Sequence, residues 1–461
     1  MEKYDIVILG AGPGGYTLAA ILSNNGKNVA LIERKHLGGT CVNEGCISTK
    51  TLIKSAKVYE SINKAKEFGI LASNITFNLN DIQHRRIENK DILNTAIKNS
   101  LEKAKVTIIM GEGNIIDKNT IEVNEKQIKA DYIVLATGSK NRELLIEGYN
   151  DSKEKGIIID STKAMSLDKI PTSLLIIGSG PVALEFAYFY STFGSKVTII
   201  DNSKFMNNFD ISLQSNVKDY LLSKNIDILE NIKISKIKDN KVFYENENGD
   251  IIFTEAEKIL SAVGRSANIE SFKNLNLELN SNKTVKVNKN MQTSIDNIYA
   301  IGDLTGIMML STISYKTADI VAKHLLNIDS NDIVDVKQVP WSVYLNPEFA
   351  GVGYTEQELI TNNIKYKSLI INASSLPRAH ADNLDKKHGF IKFLIEEETN
   401  KILGAFLFIE GAHLIINEIA LAISNNITFE KLQEYPFTHP TVAEAIYYLS
   451  KNYVFSKKII K

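Results

Sequence analysis

Cys41 and Cys46 are the two cysteines of a 461-residue chain, and they sit five positions apart in 38-GGTCVNEGCISTK-50. So few thiols in so long a chain cannot make a disulfide framework. A close pair leaves three chemistries open: a metal site, inert burial or a reversible disulfide. Zinc takes about four ligands, and His36 is the one imidazole near the pair. The seven histidines are scattered and form no paired ligand motif beside it. Two inert buried cysteines are a second reading. A cystine that closes a short loop tends to be labile rather than structural. A helical pattern over 47–67 begins just after Cys46, and a helix N-terminus would lower the pKa of that thiol. The reversible disulfide is therefore the reading carried forward. A second pair lies near the C-terminus. The His439 imidazole titrates in the range needed to take a proton from a thiol. Glu444, five residues on and just inside a helical pattern, could hold the other ring nitrogen and fix its tautomer. Taken alone, His439 could equally be a satisfied surface imidazole.

These groups need a scaffold, and the glycines outline it. The run 4-YDIVILG-10 reads as a buried strand, 17–26 as a helix and 28-NVALIE-33 as a second strand. Gly10, Gly12 and Gly15 stand at the strand-to-helix turn in the spacing of a dinucleotide site. Gly10 permits the turn, Gly12 lets backbone approach a pyrophosphate, and Gly15 lets helix pack on strand. The phosphates would sit at the helix N-terminus, and Glu33 is placed to bind ribose hydroxyls. The pattern recurs: strand 173–178, then Gly178, Gly180 and Ala183, a helix, and a strand that ends at Asp201. An acid at that point favours the free 2′-hydroxyl of NAD. NADP would call for an Arg, and 202–210 offers only Lys204. Two dinucleotide folds need two dinucleotides, and the usual partner of a nicotinamide is a flavin.

Composition is that of a soluble globular protein. Hydrophobic residues make up 44% and charged residues 23%, enough for a sizeable core. The formal net charge of −1 gives no basic surplus for nucleic acid or an anionic membrane. No apolar run approaches the roughly 20 residues of a membrane span. The first strand begins almost at once with no signal peptide before it, so the cytoplasm is the expected location. Between the two βαβ units, 82–105 reads as one or two exposed amphipathic helices. Short strands follow at 106–113, 120–123 and 131–139. Further strands are expected at 226–230, 258–264 and 298–303. A change of composition at 336–348 puts a boundary near residue 335. Beyond it, strands at 390–395 and 402–408 mix with helices at 414–424 and 441–451, an α+β arrangement.

Taken together, GAGPGGY (10–16), GGTCVNEGC (38–46), ATGS (136–139), the second glycine loop, AVGR (262–265), YAIGD (299–303) and HPTVAEA (439–445) resemble the flavin-dependent pyridine nucleotide–disulfide oxidoreductases over essentially the full length. The resemblance implies roles. Cys41 would be the thiol attacked by substrate, and Cys46 the thiolate facing the flavin. Lys50 and Glu185 would pair beside the flavin ring. Asp303 would bind the ribityl and phosphate region. Gly113 and Ser311 would offer backbone contacts to FAD, and Gly14, Gly39, Thr40, Thr137 and Gly138 belong to motifs that contact it. Val182 and Gly264 belong to the corresponding NAD motifs. His439 and Glu444 would be the base and its orienting carboxylate. The chain departs from the family pattern at Ser48, where a proline is usual, and at Ser311-Thr312, where Ala-His is usual. His413 stands where a smaller or acidic residue is usual and receives no role. Trp341 is expected in interface core.

The implied architecture is α/β: two Rossmann-like dinucleotide-binding domains plus a C-terminal α+β dimerisation domain. The FAD domain would be discontinuous over 1–147 and 266–334, with the NAD domain at 148–265 and the dimerisation domain at 335–461. The implied activity is oxidation of protein-bound dihydrolipoyl groups to lipoyl, with electrons passing through Cys41 and Cys46 and FAD to NAD. The implied assembly is a homodimer in which His439 and Glu444 reach the cysteines of the other subunit. The implied partners are lipoyl-bearing proteins on separate chains, either the acyltransferase of a 2-oxo acid dehydrogenase complex or the carrier protein of glycine cleavage. A reductase of glutathione or another small disulfide is the nearest alternative. A flavoprotein scaffold without turnover is the alternative of another class, and it would have no reason to keep Cys41, Cys46, His439 and Glu444 together.

Overall fold

The computed structural model describes residues 2–246 and 248–456. Strand Glu2–Leu9 lies at the centre of its first sheet, with Val29–Glu33 on one side and Lys126–Leu135 on the other, both parallel to it. Strand Thr107–Met110 extends the parallel part, and the hairpin Gly113–Asp117 with Thr120–Val123 adds an antiparallel edge. All five residues of Val29–Glu33 are buried, because both faces of the sheet are covered: Val29 and Leu31 pack with residues of helices Pro13–Asn24 and Ser311–Leu325, and Ala30 and Ile32 with Ile115, Ile121, Phe272 and Val285. The helix Pro13–Asn24 opens with Pro at its first turn, where the missing N–H removes no hydrogen bond. It packs chiefly on helix Ser311–Leu325.

A second sheet repeats the plan with five parallel strands: Asp227–Leu229, Lys196–Ile200, Ser173–Ile177, Lys258–Ser261 and Ile158–Ile159. The chain enters and leaves this unit side by side, because Ser139–Asn141 pairs antiparallel with Arg265–Ala267. It then returns to the first sheet, where Ile298–Ala300 pairs parallel with Lys126–Leu135. The C-terminal part is a five-stranded sheet in the order Trp341–Val343, Phe349–Gly353, Ile402–Phe408, Phe390–Glu396, Tyr366–Asn372. Each pair in it is antiparallel, and helix Ala412–Ser424 packs against it.

Boundaries differ from the periodic reading where long-range contacts decide them. The exposed segment is one helix, Leu79–Lys103, started by the Asn78 side chain accepting from Asn80 N–H; Leu101 is its one buried residue. The strand expected over 106–113 stops at Met110, where Gly111 N–H bonds to the carbonyl of Glu33. The strand expected over 298–303 ends at Ala300, and a short 3₁₀ turn follows over Gly302–Thr305. The last helix begins at Glu444, not at 441, and runs to Ser456.

Trp341 packs against Phe209 of the second unit and against Phe349 and Phe406 of the C-terminal sheet. It therefore lies between two units, as expected of interface core. Lys392, in the middle of strand Phe390–Glu396, is fully buried. Its ammonium lies 2.8 Å from Asp210 and 2.6 Å from Glu356, so an ion cluster ties the C-terminal sheet to the start of helix Ile211–Ser223.

Candidate active site: a dithiol in a dinucleotide cleft

Cys46 is the first residue of helix Cys46–Asn63, and Cys41 lies in the short helical turn Gly39–Asn43 just before it. The segment between them is held from beneath by Ser48. Its buried hydroxyl donates to the carbonyls of Val42 and Asn43, at 3.0 and 3.1 Å. Asn43 in turn donates to Leu37 and Gly39 carbonyls and accepts from Asn94. At the position where proline is usual, the hydroxyl thus supplies a tether.

The two thiols are electrostatically unlike. Cys46 is lowered to about 6, first by a hydrogen bond from Cys41, and further by Ser311 and the Lys50 charge, against burial. Cys41 is pushed well up by donating that hydrogen bond and by burial. Lys50, one turn along the same helix, places its ammonium 2.8 and 2.9 Å from the two Glu185 oxygens. Burial would pull the Lys50 ammonium down, but the Glu185 carboxylate outweighs it and holds it raised. Tyr344 completes this corner: its N–H donates to Glu185 at 3.1 Å, and its ring lies under the Lys50 ammonium at 4.7 Å. Tyr344 carried no signal in the sequence, since its contribution is a backbone N–H brought in from the C-terminal sheet.

Both cysteines, Lys50 and Glu185 line one cleft of about 1110 Å³, together with every residue expected to contact the flavin. The first glycine loop fits a dinucleotide. At Gly10 the backbone is left-handed (φ 107°), and a Cβ would fall 2.3 Å from the Ala136 carbonyl oxygen. Gly12 is different: its φ is an ordinary −71°, and a Cβ there would meet no protein atom within 4 Å. Glycine at 12 leaves open space in front of a helix N-terminus, the place for a pyrophosphate. Glu33 accepts from Ala11 N–H and Lys35 N–H, each at 2.8 Å, and keeps lone pairs for ribose hydroxyls. Asp303 accepts from Ser139 at 2.5 Å, and Arg265 donates to the Ser139 hydroxyl and carbonyl and to Asn141, each at 2.7 Å. Arg265 was the unassigned end of AVGR; here it joins the exit of the second unit to the flavin cleft.

The second loop repeats the first. Val182 lines the edge of the large cleft, whereas Gly178, Gly180, Asp201 and Gly264 lie outside it. Gly180 again leaves open space at a helix start. Asp201 is one methylene shorter than Glu33, and Ser179 fills the difference: its hydroxyl donates to Asp201 at 2.6 Å and accepts from Met206 N–H. Ser203 donates to the other carboxylate oxygen from both its N–H and its hydroxyl, each at 2.8 Å.

His439 Nδ1 lies 2.9 Å from Glu444 Oε1. Glu444 also accepts from Thr441 N–H at 2.8 Å and from the Tyr448 hydroxyl at 3.1 Å. Burial pushes its carboxyl up, but these hydrogen bonds outweigh it and hold the group lowered. The imidazole itself is 67% exposed, and neither residue lines the cysteine cleft of its own chain. The arrangement thus has two halves: a polarised dithiol in a dinucleotide cleft, and an oriented imidazole that faces outward. His413, which had no assigned role, stands 3.0 Å from Glu348, an acid also bound by Lys57 at 3.1 Å, with its ring against Tyr344.

A flavin cleft, a nicotinamide-type loop and a close dithiol define a class, the disulfide-linked flavoenzymes. Residues 4–318 match the pyridine nucleotide-disulphide oxidoreductase family, and 339–449 match the dimerisation domain of that family. The chain belongs to the pyridine nucleotide-disulphide oxidoreductases, and its cofactors are FAD and NAD. It is similar to the dihydrolipoyl dehydrogenase of Mycoplasma pneumoniae (34% identity, covering 98% of this chain and 99% of that one). The dihydrolipoyl dehydrogenase of Mycoplasma genitalium is as similar (34%, 98% and 99%). Among solved structures it resembles a Cu(II) complex of the HOCl-induced flavoprotein disulfide reductase RclA from Escherichia coli, with TM-score 0.87, 28% identity, and coverage of 98% and 99%.

Proposed function

We propose that this protein oxidises protein-bound dihydrolipoyl groups to lipoyl and passes the electrons through Cys41 and Cys46 and FAD to NAD. The observation that carries the reading is the placement of the two thiols: both line one cleft with Lys50, and Cys46 heads helix Cys46–Asn63 with the Ser311 hydroxyl 3.6 Å from its sulfur, so negative charge is favoured on Cys46. Such a pair takes electrons in a set order. The names of the relatives, dihydrolipoyl dehydrogenases matched along the whole chain, favour the lipoyl substrate over glutathione.

The geometry supports the following steps. With Nδ1 held by Glu444, His439 presents Nε2 to a substrate thiol and takes its proton. The thiolate attacks Cys41 Sγ; the Cys41–Cys46 bond breaks and its electron pair goes to Cys46, the sulfur at the helix N-terminus. The second substrate thiol, giving up its proton, attacks the substrate sulfur of the mixed disulfide and releases Cys41, which takes up one proton. Lipoyl leaves, and two electrons and one proton remain on the pair. Bound FAD supplies the step from thiolate to nicotinamide, since a flavin accepts an electron pair from a dithiol and yields it as hydride. The Lys50–Glu185 pair holds charge beside that cleft, and Asp201, set by Ser179 and Ser203, selects the NAD ribose.

Since His439 faces away from the cleft of its own chain, the site is completed in a homodimer by His439 of the partner subunit. We assign the FAD domain to 1–147 and 266–334, the NAD domain to 148–265 and the dimerisation domain to 335–461. The partners are lipoyl-bearing chains, and the place of action is the cytoplasm. The test is NADH formation from dihydrolipoamide and NAD, run beside NAD(P)H-driven reduction of oxidised glutathione, with Cys41→Ser protein in parallel. Rapid lipoamide turnover that vanishes in the variant is the expected result. Brisk glutathione reduction without lipoamide turnover would make the protein a small-disulfide reductase instead. Neither activity in an FAD-loaded dimer would leave the scaffold reading.

A further inference from the structure

We propose that the Ser311 hydroxyl is a positioning residue for the redox pair: it donates a hydrogen bond to the Cys46 sulfur, and so sets the thiolate population of Cys46 and the readiness of the pair to accept two electrons. Ser311 Oγ lies 3.6 Å from Cys46 Sγ, a contact across 265 residues of sequence. Ser311 is the first residue of helix Ser311–Leu325, as Cys46 is of helix Cys46–Asn63, and neither helix has a side-chain cap. Two helix starts therefore face one sulfur, and their N-terminal N–H groups favour negative charge there. Ser311 adds the hydroxyl that turns this general field into a directed bond. A hydrogen bond to an ionised acceptor is worth about twice a neutral one, and sulfur gains that advantage only as thiolate.

The timing makes the hydroxyl matter. In the resting dithiol the Cys41 S–H is the main donor to Cys46. During turnover Cys41 is bonded to the substrate sulfur at the moment Cys46 leaves as thiolate, so Cys41 then has no proton to offer. Lys50 is held by both oxygens of Glu185, and its charge is largely balanced. Ser311 is the donor that remains beside Cys46 through the whole exchange. Reduction of the disulfide takes two electrons and one proton, to Cys41 thiol and Cys46 thiolate. Whatever stabilises that thiolate shifts the couple towards the reduced state.

The inference rests on the redox reading of Cys41 and Cys46 but not on the lipoyl substrate. The experiment uses FAD-loaded full-length protein as wild type, Ser311→Ala and Ser311→Thr, each reduced with dithionite. The long-wavelength thiolate–flavin absorbance is titrated with pH, and the midpoint potential of the disulfide is measured against a dithiol couple at pH 8 and pH 5. In Ser311→Ala the thiolate midpoint should rise by about one unit, tenfold in thiolate affinity for the proton. The potential should fall by about 30 mV at pH 8, the same tenfold for a two-electron couple, and stay near wild type at pH 5, where Cys46 is protonated in both. Ser311→Thr keeps a hydroxyl and should restore both values. A second background, Cys41→Ala with and without Ser311→Ala, isolates Cys46, and its thiolate is read there by the pH dependence of alkylation. Unchanged titration and potential in Ser311→Ala, or an equal loss in Ser311→Thr, would overturn the proposal. Lipoamide inactivity of wild type with these shifts intact would sink the substrate reading and leave this one standing.

Discussion

Cys46 is the lowered thiol of the pair in the cleft. Its thiol is lowered to about 6 from an ordinary value of 9.0, with the Cys41 hydrogen bond as the first cause. A lowered group favours the folded state above its unfolded value and loses that contribution as pH falls through its folded value. The reduced protein should therefore gain stability relative to its oxidised form as pH rises from about 6 to about 9. Cys41 is shifted the other way and alters this balance only above that window. Chemical denaturation of reduced and oxidised protein at pH 5.5, 7 and 8.5 checks the slope; a reduced form that loses stability relative to the oxidised form with rising pH would mean that Cys46 is not the lowered thiol. Ser48 also belongs at this scale. A proline there would offer no hydroxyl to the Val42 and Asn43 carbonyls, so this chain restrains the turn by hydrogen bonding and not by a fixed φ.

The strand–loop–helix unit explains why apparently equal glycines differ. Gly10 is needed by the backbone, because φ is left-handed and the Ala136 carbonyl leaves no room for a Cβ. Gly12 is not needed by the backbone, because nothing in the protein occupies the space in front of it, and the proposed reading gives that space to the ligand. Gly10→Ala should lower the yield of folded protein. Gly12→Ala should fold with an unchanged circular dichroism spectrum but lose FAD, with affinity down at least tenfold. Gly180→Ala should keep its FAD and raise the KM for NAD. Flavin content after gel filtration, with KM values for the third variant, separates the three; yellow, fully active Gly12→Ala protein would rule out a pyrophosphate at that helix start.

At the scale of the molecule, catalysis needs two chains if the outward-facing His439–Glu444 pair serves the neighbouring cleft. Cys41→Ser and His439→Gln homodimers should each be nearly inactive, with His439→Gln down by a factor of about 10²–10⁴, the usual contribution of a general base. Reassociated from a mixture, the hybrid dimer pairs the intact Cys41 of one chain with the intact His439 of the other. It should regain roughly half the activity of a wild-type dimer, since one of its two sites is whole. Activity of isolated hybrids, separated by two different affinity tags, decides the point. No recovery would place the base on the same chain as the cysteines.

Much of this was legible in the linear chain because the signals are local. A strand, three spaced glycines and a terminal acid lie within one short βαβ unit, and the unit occurs twice, at Gly10 and at Gly178. The pair Cys41 and Cys46, the helix that starts at Cys46, and Glu444 following His439 are likewise short-range. Contacts between distant segments left no such local mark. The pair of Lys50 and Glu185, 135 residues apart, was expected only through the family resemblance; Cys46 meeting the Ser311 hydroxyl across 265 residues and the Tyr344 N–H reaching Glu185 from a different sheet were not. Arg265 and Ser179 gained their partners only when strands and loops came together. A side chain's rotamer and its hydrogen-bond partner depend on what the folded chain packs beside it, and no periodicity encodes that. The outward face of His439 is of the same kind: the motif names a base, but packing decides which cleft it can reach.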